Sequence, residues 1–308
     1  MATTASINGS DSPSWSWNEI DWGDWHTILQ LVPACIGCLG NLVVIIVLIP
    51  PRSQNRSTDI LIGHLAVADF LTSIFLLPIP VVRTVPRNWL GVLYCGFLGL
   101  SSCRIVCIFS AIYILLAICC DRFLAVVYPL QFNRWITRWR ATLVVVCIWL
   151  GSSIGQYTTT FTRLDRAKYE CTVISLRRYS QITAGSLNFL FVFAVPALTM
   201  LLSQIFIART LLRQSRRFNS DRNLPPFRPS VHLVARRKVL KMMAIAVAVF
   251  VVTLGPNQTS YYCYNLGIVP QGYLSGDFHR FTILLLATAP ALTLSSTHHK
   301  TRSSGRHL

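Results

Sequence analysis

Charged side chains interrupt the long apolar runs of this sequence at only a few places. Between Gly96 and Cys120 the only charged residue is Arg104, and Asp121 and Arg122 then follow side by side. Another apolar run contains Asp69. An adjacent acid and base at the end of an apolar helix can form an ion pair, and a buried Arg can bind a carboxylate through parallel hydrogen bonds. These residues favour charge pairing and anion recognition.

The sequence does not favour catalysis. An intramembrane enzyme needs a nucleophile with a base, or a cluster of metal ligands. The histidines do not gather in any one apolar run, and no Cys/His spacing typical of zinc is present. We therefore expect neither enzyme activity nor a bound metal.

Composition identifies the solvent that surrounds these side chains. Of the 308 residues 53% are hydrophobic and only 13% are charged, whereas a soluble domain has about 25% charged residues. A helix that crosses a hydrocarbon core about 30 Å thick needs about 20 apolar residues. The pattern predicts an all-α membrane protein, a seven-transmembrane helix bundle, with the fourth and seventh spans the most polar. The spans lie near 26–49, 60–82, 96–120, 141–161, 184–208, 240–263 and 278–296.

Basic residues are distributed asymmetrically between the two sides of this bundle. Residues 1–25 contain four acids and no Lys or Arg, whereas the alternate loops are basic, with ten Lys and Arg residues in 209–241 alone. The positive-inside rule then predicts an extracellular segment 1–25, a membrane domain 26–297 and a cytoplasmic tail 298–308 in a multi-pass plasma-membrane protein. This topology and attraction to anionic lipid explain the net charge of +17 without nucleic acid.

Transport is a weaker interpretation. No internal repeat is visible, and no short or broken apolar segments occupy matching positions in two halves of the chain. A transporter or channel would also carry more charges along its path than Asp69 and Arg104.

Six motifs occur in an order and at a spacing that are typical of one family. They are GNLVVIIVL in the first span, LAVADF in the second, DRFLAVVYPLQF after the third, Trp149, Pro196 and FVVTLGP in the sixth. From about Cys35 to Pro290 the chain therefore resembles a rhodopsin-like (class A) G-protein-coupled receptor. The resemblance implies an extracellular ligand and a heterotrimeric G protein as partners.

The resemblance assigns the opening ion pair a role. Asp121, Arg122 and Phe123 match the Asp-Arg-Tyr motif, in which the Arg is held by its Asp at rest and released toward the G protein on activation. Asn41 and Asp69 match the polar pair of the bundle core, where the family often holds a sodium ion. Ala111 replaces the Ser that the family adds to that site, which argues against sodium.

The resemblance also pairs two of the ten cysteines. It implies a disulfide between Cys95, at the outer end of the third span, and Cys171, in the second outer loop, with a slightly longer spacing to Arg122 than is usual. Most other cysteines lie within spans, where they pack as small apolar residues. The helix kinks and packing positions of the family match Trp149, Pro196, Phe250 and Pro256.

The ligand class rests on the upper half of the bundle. Arg104 occupies the slot where amine receptors carry an Asp, so a cationic ligand would be repelled. Either Arg104 pairs within the protein or it binds an acidic group of the ligand. We expect a neuropeptide-like peptide, with a small acid as the second choice. Asn8 begins an Asn-Gly-Ser glycosylation site in the outer segment.

Three departures from the family bear on signalling. Leu254 replaces the Trp of the sixth span, and Gln204 replaces a Tyr of the fifth. In the seventh span Ala289-Pro290 occupies the position where the family has Asn-Pro. Either this pair is a degenerate form of that motif, or a shift of the reading frame has changed the residues encoded here. When the codons from Ala287 onward are read in the shifted frame, they can encode Asn-Pro-x-Ile-Tyr, the seventh-span motif of the family. We expect a frameshift after about Leu286; a non-signalling receptor-like protein is the alternative.

Overall fold

A computed structural model of the chain describes residues 15–48, 57–80, 82–98, 100–159, 162–165, 169–173, 177–220 and 231–292. Within these residues seven long helices, α1 to α7 in chain order, form the predicted bundle. They are Trp25–Leu48, Ser57–Leu76, Leu100–Val127, Arg138–Thr159, 178–220, Val231–Leu266 and Asp277–Ala287. The predicted glycosylation site Asn8 and the predicted tail 298–308 lie outside the described residues.

Five of the described helices are long and apolar enough to cross a membrane, and they belong to α1, α2, α3, α5 and α6. The helices that do not meet this criterion are α4 and α7, which correspond to the two most polar predicted spans. The fifth and sixth helices extend beyond the predicted spans, because α5 continues to Ser220 and α6 already begins at Val231.

The helices close into a ring around α3. That helix contacts α2, α4 and α5, while α7 contacts both α6 and α1 and completes the ring. Fully buried Ile114, Met200 and Val247 belong to one continuous apolar core. Many large apolar side chains on the outer faces of α1 and α4 are exposed. In a membrane protein such faces contact lipid.

α5 departs from regular α-helical geometry beside a proline. α5 consists of Arg178–Asn188, a π-helical turn Phe189–Ala194 and the segment Val195–Ser220. The π-turn ends just before Pro196, which cannot donate a backbone hydrogen bond, so the regular α-helical ladder is interrupted there. α1 and α6 also contain prolines in their interiors, Pro33 and Pro256, and remain α-helical there.

Small elements cover the end of the bundle where the chain begins. Strand β1 (Ser16–Trp17) pairs with β2 (Val82–Thr84), and β3 (Thr162–Asp165) pairs with β4 (Glu170–Val173) as an antiparallel hairpin. A short helix, Trp89–Leu93, follows β2 and continues into a π-turn, Tyr94–Leu98. These elements position the cysteines and the outer ends of α2 and α3.

Candidate functional site

The Asp121–Arg122 pair lies near the end of α3, on the side away from β1 and β2. The Arg122 Nη2 atom donates to Asp121 Oδ2 at 2.8 Å. The Asp121 side chain is 3% exposed and the Arg122 side chain 25%. The pair is therefore formed, and the acid is its buried member.

Two hydroxyl groups at the start of α2 also hold this acid. Ser57 Oγ donates to Asp121 Oδ1 at 3.2 Å, and Thr58 Oγ1 donates to Asp121 Oδ2 at 2.8 Å. The sequence analysis missed both residues. The only sequence signal for them is a Ser-Thr pair at the start of an apolar helix, and such hydroxyls usually cap the helix. We call Asp121, Arg122, Ser57 and Thr58 the latch.

Aromatic and amide side chains surround the latch. The Phe123 ring makes edge contacts with Tyr128 and with Phe206 of α5, each at a centroid distance of 6.2 Å. Gln204, also on α5, is buried, and its amide finds no nitrogen or oxygen partner among the described residues. α5 therefore packs against the latch mainly through apolar contacts.

The predicted polar pair Asn41 and Asp69 is buried in the bundle core. The Asn41 Nδ2 atom donates to the carbonyls of Gly37 at 2.9 Å and Pro290 at 3.2 Å. Pro290 of the seventh span thus contacts α1 at the position of this polar pair.

Asp69 faces a small internal cavity of about 60 Å³. Its polar lining side chains are Asp69, Thr72 and Thr253, and Ala111 contributes no oxygen. Hard cations take several oxygen ligands, water included. The lining side chains supply one carboxylate and two hydroxyls, and Ala111 lacks the hydroxyl that the family's Ser would add.

The pairing of Cys95 with Cys171 is present in the structure as a disulfide, with a Cα–Cα distance of 5.3 Å. Cys171 lies on β4 opposite Leu164. Val85, Cys95 and Leu164 form a separate buried cluster, and Val85 N donates to Tyr169 O at 2.7 Å. The hairpin is thereby fixed to the outer end of α3.

Arg104 of α3 lines a cavity of about 340 Å³ at the same end of the bundle. The walls come from the first residues of the described chain, from α1, and from the end of α2. They include Glu19, Asp21, Thr27 and Gln30. Arg104 forms no hydrogen bond or ion pair within the part of the chain that the structure describes. We call this cavity the outer pocket.

A second arginine lies close to the outer pocket. Arg280 of α7 donates through Nη1 to Asp24 Oδ2 at 3.0 Å. Arg104 and Arg280 both lie within electrostatic reach of His26, in the first turn of α1. Two guanidinium groups therefore approach one region, and Asp24 neutralises one of them.

Side-chain contacts link the sixth helix to its neighbours. Asn257 Nδ2 donates to Thr282 Oγ1 of α7 at 3.1 Å, and Asn188 Nδ2 donates to Gln258 Oε1 at 3.2 Å. Below them the Phe250 ring stacks on Phe193 of α5 at a centroid distance of 6.0 Å. These contacts lie on both sides of Pro256, so this part of α6 is held to α5 and α7.

The remaining predicted packing residues lie within the bundle. Pro196 is fully buried, Leu254 is 2% exposed, and Trp149 packs against the core from α4. Leu254 fills the position of the family's Trp as an ordinary core residue. The structure thus places all predicted residues but Asn8 within its described part, divided between the latch, the core and the outer pocket.

The ring has a charged pair at one end and a disulfide and a pocket at the other. Because five of its helices are long and apolar enough to cross a membrane, it has the architecture of a helical membrane protein. The sequence model of the 7 transmembrane receptor (rhodopsin family) matches residues 40–295. The chain belongs to this family of rhodopsin-like G-protein-coupled receptors. It is therefore a multi-pass plasma-membrane protein and not an enzyme.

Individual relatives differ in what their names say they bind. G protein-coupled receptor 161 of Bos taurus is 28% identical over 247 residues, 71% of this chain and 46% of that protein. Trace amine-associated receptor 7b of Rattus norvegicus is 31% identical over 237 residues, 72% of this chain and 64% of that protein. The allatostatin-A receptor of Bombyx mori is 27% identical over 233 residues, 72% of this chain and 61% of that protein.

In each of these alignments the chain spans less than two thirds of its relative's length. One relative is named for trace amines and another for allatostatin-A, so the names do not choose a ligand class. That choice rests on the residues of the outer pocket.

Proposed function

We propose that this protein binds an extracellular peptide through an acidic group and activates a heterotrimeric G protein. Arg104 is the single observation that carries the ligand class. It lines the outer pocket without a hydrogen bond or ion pair among the described residues. A guanidinium in a half-buried site is stabilised by an acceptor, and a ligand carboxylate supplies two oxygens in matching geometry.

An amine ligand is disfavoured by the same charge. A protonated amine that entered the outer pocket would meet Arg104 where amine receptors offer an acid, and like charges destabilise a complex. The trace-amine relative therefore does not transfer its ligand to this chain.

The size and setting of the outer pocket favour a peptide over a free small acid. At about 340 Å³ it lies at the lower end of the range for ligand sites, about 300–1,000 Å³. It can take one acidic side chain or a terminal carboxylate. The rest of a peptide would then extend out of the pocket, past the ends of α1 and α2 that line it.

Signalling is assigned to the latch at the opposite end of α3. The Arg122–Asp121 bond at 2.8 Å holds the arginine in its resting position, and two hydroxyls from α2 hold the acid. A ligand that favours a second arrangement of the helices would release Arg122 toward a G protein. The orientation with the amino terminus outside, taken from the charge distribution, places the latch in the cytoplasm.

One observation favours a second candidate, a receptor-like protein that does not signal. Gln204, in the place of a family Tyr, leaves its buried amide without a nitrogen or oxygen partner among the described residues, and Leu254 replaces the family's Trp. Both positions adjoin the route by which α5 and α6 would move.

A screen of acidic peptides tests both candidates. Cells expressing the protein are exposed to a peptide library in which each acidic member has an amidated or Gln-substituted counterpart, with G-protein activation as the readout. We expect activation by acidic members and loss of it in Arg104→Ala. Arg83→Ala is the matched control, because Arg83 is an exposed arginine of β2 that does not line the pocket. Activation by amines, or by neutral peptides to the same degree, contradicts the proposal.

A further inference from the structure

The first described residues of the chain, 15–24, cross the outer pocket instead of extending away from it. We call residues 15–24 the amino-terminal segment. Ser16 and Trp17 pair with β2, and Ser16 Oγ lies 2.7 Å from Thr84 Oγ1. The Trp15 ring meets Tyr94 edge to face at 5.3 Å.

The other end of the segment is fixed by Asp24. Its Oδ2 atom accepts the hydrogen bond from Arg280 at 3.0 Å, while its Oδ1 atom accepts from His26 N at 3.3 Å. The second contact caps the start of α1. One carboxylate therefore joins the segment, α1 and α7.

Between these two anchors the segment forms a wall of the outer pocket. Asn18, Glu19, Ile20 and Asp21 line it from one side and Arg104 from another. The acids of the segment share the pocket with a guanidinium to which none of them is bonded among the described residues. In this arrangement the pocket has room for one acidic side chain, and the peptide backbone that carries it to Arg104 must displace this wall.

We propose that the amino-terminal segment is a lid that the Asp24–Arg280 ion pair holds closed and that an acidic ligand opens. The inference deepens the proposed function, on which the acidic class of the ligand rests. When the lid opens, Asp24 leaves Arg280, and the pocket then presents two arginines to the incoming acid. Asp24 thus competes with the acidic group of the ligand for Arg280.

The anchors are weak enough to open. The Arg280 and Asp24 side chains are 40% and 26% exposed, and exposed ion pairs stabilise little. The strand pairing involves two residues of β1 only. Breaking the ion pair should therefore raise the open fraction by roughly two- to fivefold.

The test measures access to the outer pocket with small charged thiol reagents, in intact cells and with the full chain. Thr27→Cys places a thiol in the pocket wall, and the reaction of the unsubstituted chain is subtracted as background. An anionic and a cationic methanethiosulfonate are each applied. Asp24→Asn keeps the helix cap, because Asn caps as well as Asp, and removes only the charge that holds Arg280.

Opening and electrostatics give different results. An open lid raises the rates of both reagents. A change of charge alone moves the two rates in opposite directions: loss of an acid raises the anionic rate and lowers the cationic one, and loss of an arginine does the reverse. We expect Asp24→Asn and Arg280→Gln each to raise both rates by roughly two- to fivefold, with no further gain in the double variant, since the two residues act as one pair. Asp21→Asn is the matched control and should move the two rates in opposite directions.

The lid is refuted if Asp24→Asn behaves like Asp21→Asn, or if the effects of Asp24→Asn and Arg280→Gln simply multiply. Should Asp24→Asn fail to reach the surface, Trp15→Ala releases the opposite anchor and must raise both rates; unchanged rates there also refute the lid. The reagents need neither a ligand nor a G protein. A failed lid and a failed proposed function therefore give separate results.

Discussion

Each end of α3 carries one arginine, and the two are in opposite situations. Arg104 and Arg122 are 18 positions apart in the sequence, which is about five helical turns or about 27 Å. Arg122 has its acid beside it at 2.8 Å, and that acid accepts two further hydrogen bonds from α2. Arg104 lines a pocket and has no such partner in the described chain.

This difference separates charges that the fold satisfies from charges that it leaves for something else. A buried acid with three donors stabilises one arrangement of α2 and α3, and that arrangement can be switched only by breaking the set. A half-buried guanidinium without an acceptor gains free energy from any acid that reaches it. The same residue type thus supports a switch at one end and recognition at the other.

The largest effect is expected from removing the disulfide that fixes the β3–β4 hairpin to the outer end of α3. Cys95→Ala and Cys171→Ala should each remove the protein from the cell surface, because the disulfide closes a separation of 76 residues and a loop of that length is worth about 4 kcal/mol. The measurement is surface labelling of an amino-terminal tag. Cys147→Ala, at an exposed free cysteine, is the control and should reach the surface normally. Wild-type surface levels in both single variants would show that the disulfide does not hold the pocket end together.

A smaller effect is expected when the latch is loosened without removing the arginine. Asp121→Asn should raise basal G-protein activity, because Arg122 then loses its charged partner. Thr58→Val removes one of the hydroxyl donors and should raise basal activity less, since a hydrogen bond to a charged group is worth about 1.5–3 kcal/mol. Basal nucleotide exchange at matched surface expression is the readout. Equal basal activity in wild type and both variants would show that the latch only anchors the helix at the membrane interface and is not a switch.

The smallest effect concerns the contact that lies between the two ends. Thr282→Val keeps the shape of a fully buried side chain but removes the acceptor of the Asn257 amide at 3.1 Å and the donor to the His279 carbonyl at 2.8 Å. Thermal unfolding in detergent should show a loss of about 1–2 kcal/mol, since each such bond is worth about 1 kcal/mol. Thr142→Val, on the exposed face of α4, should have a smaller effect. A loss above that of Asp121→Asn would mean that the core, and not the latch, fixes the resting arrangement.

The sequence predicted the bundle because long apolar runs leave few alternatives in a membrane. It also led to the ion pair, since adjacent charges at the end of an apolar run are visible without a structure. Ser57 and Thr58 were not predicted, because hydroxyls at the start of a helix usually cap it and the spacing gives no sign of a partner on α3. Their role depends on how α2 packs against α3.

The lid could not be predicted for a related reason. Asp24 and Arg280 are 256 positions apart, and strand β1 has two residues, too few for a recognisable alternation. In the sequence the tryptophans near β1 suggest only an interfacial belt. Contacts between distant surface segments arise from the closed ring of helices, so they appear only once that ring is known.

The reading frame that encodes the seventh span can be tested on the transcript. The family match continues to residue 295, beyond Leu286, where we expect the reading frame to shift. Sequencing the transcript across positions 284–297 tests this expectation. If the shifted frame contains no Asn-Pro-x-x-Tyr series, the departure at Ala289-Pro290 is genuine, and weak or absent signalling becomes the better hypothesis.

The most direct test of the two-ended account compares Arg104→Ala with Arg122→Ala on the same acidic peptide, using labelled-peptide binding and G-protein activation on cells with matched surface expression. Arg104→Ala should lose binding, and with it activation, by about 10-fold or more, as expected for a charge-assisted contact. Arg122→Ala should bind with nearly unchanged affinity and activate no G protein. Binding that survives in Arg104→Ala, or activation that survives in Arg122→Ala, would contradict the account.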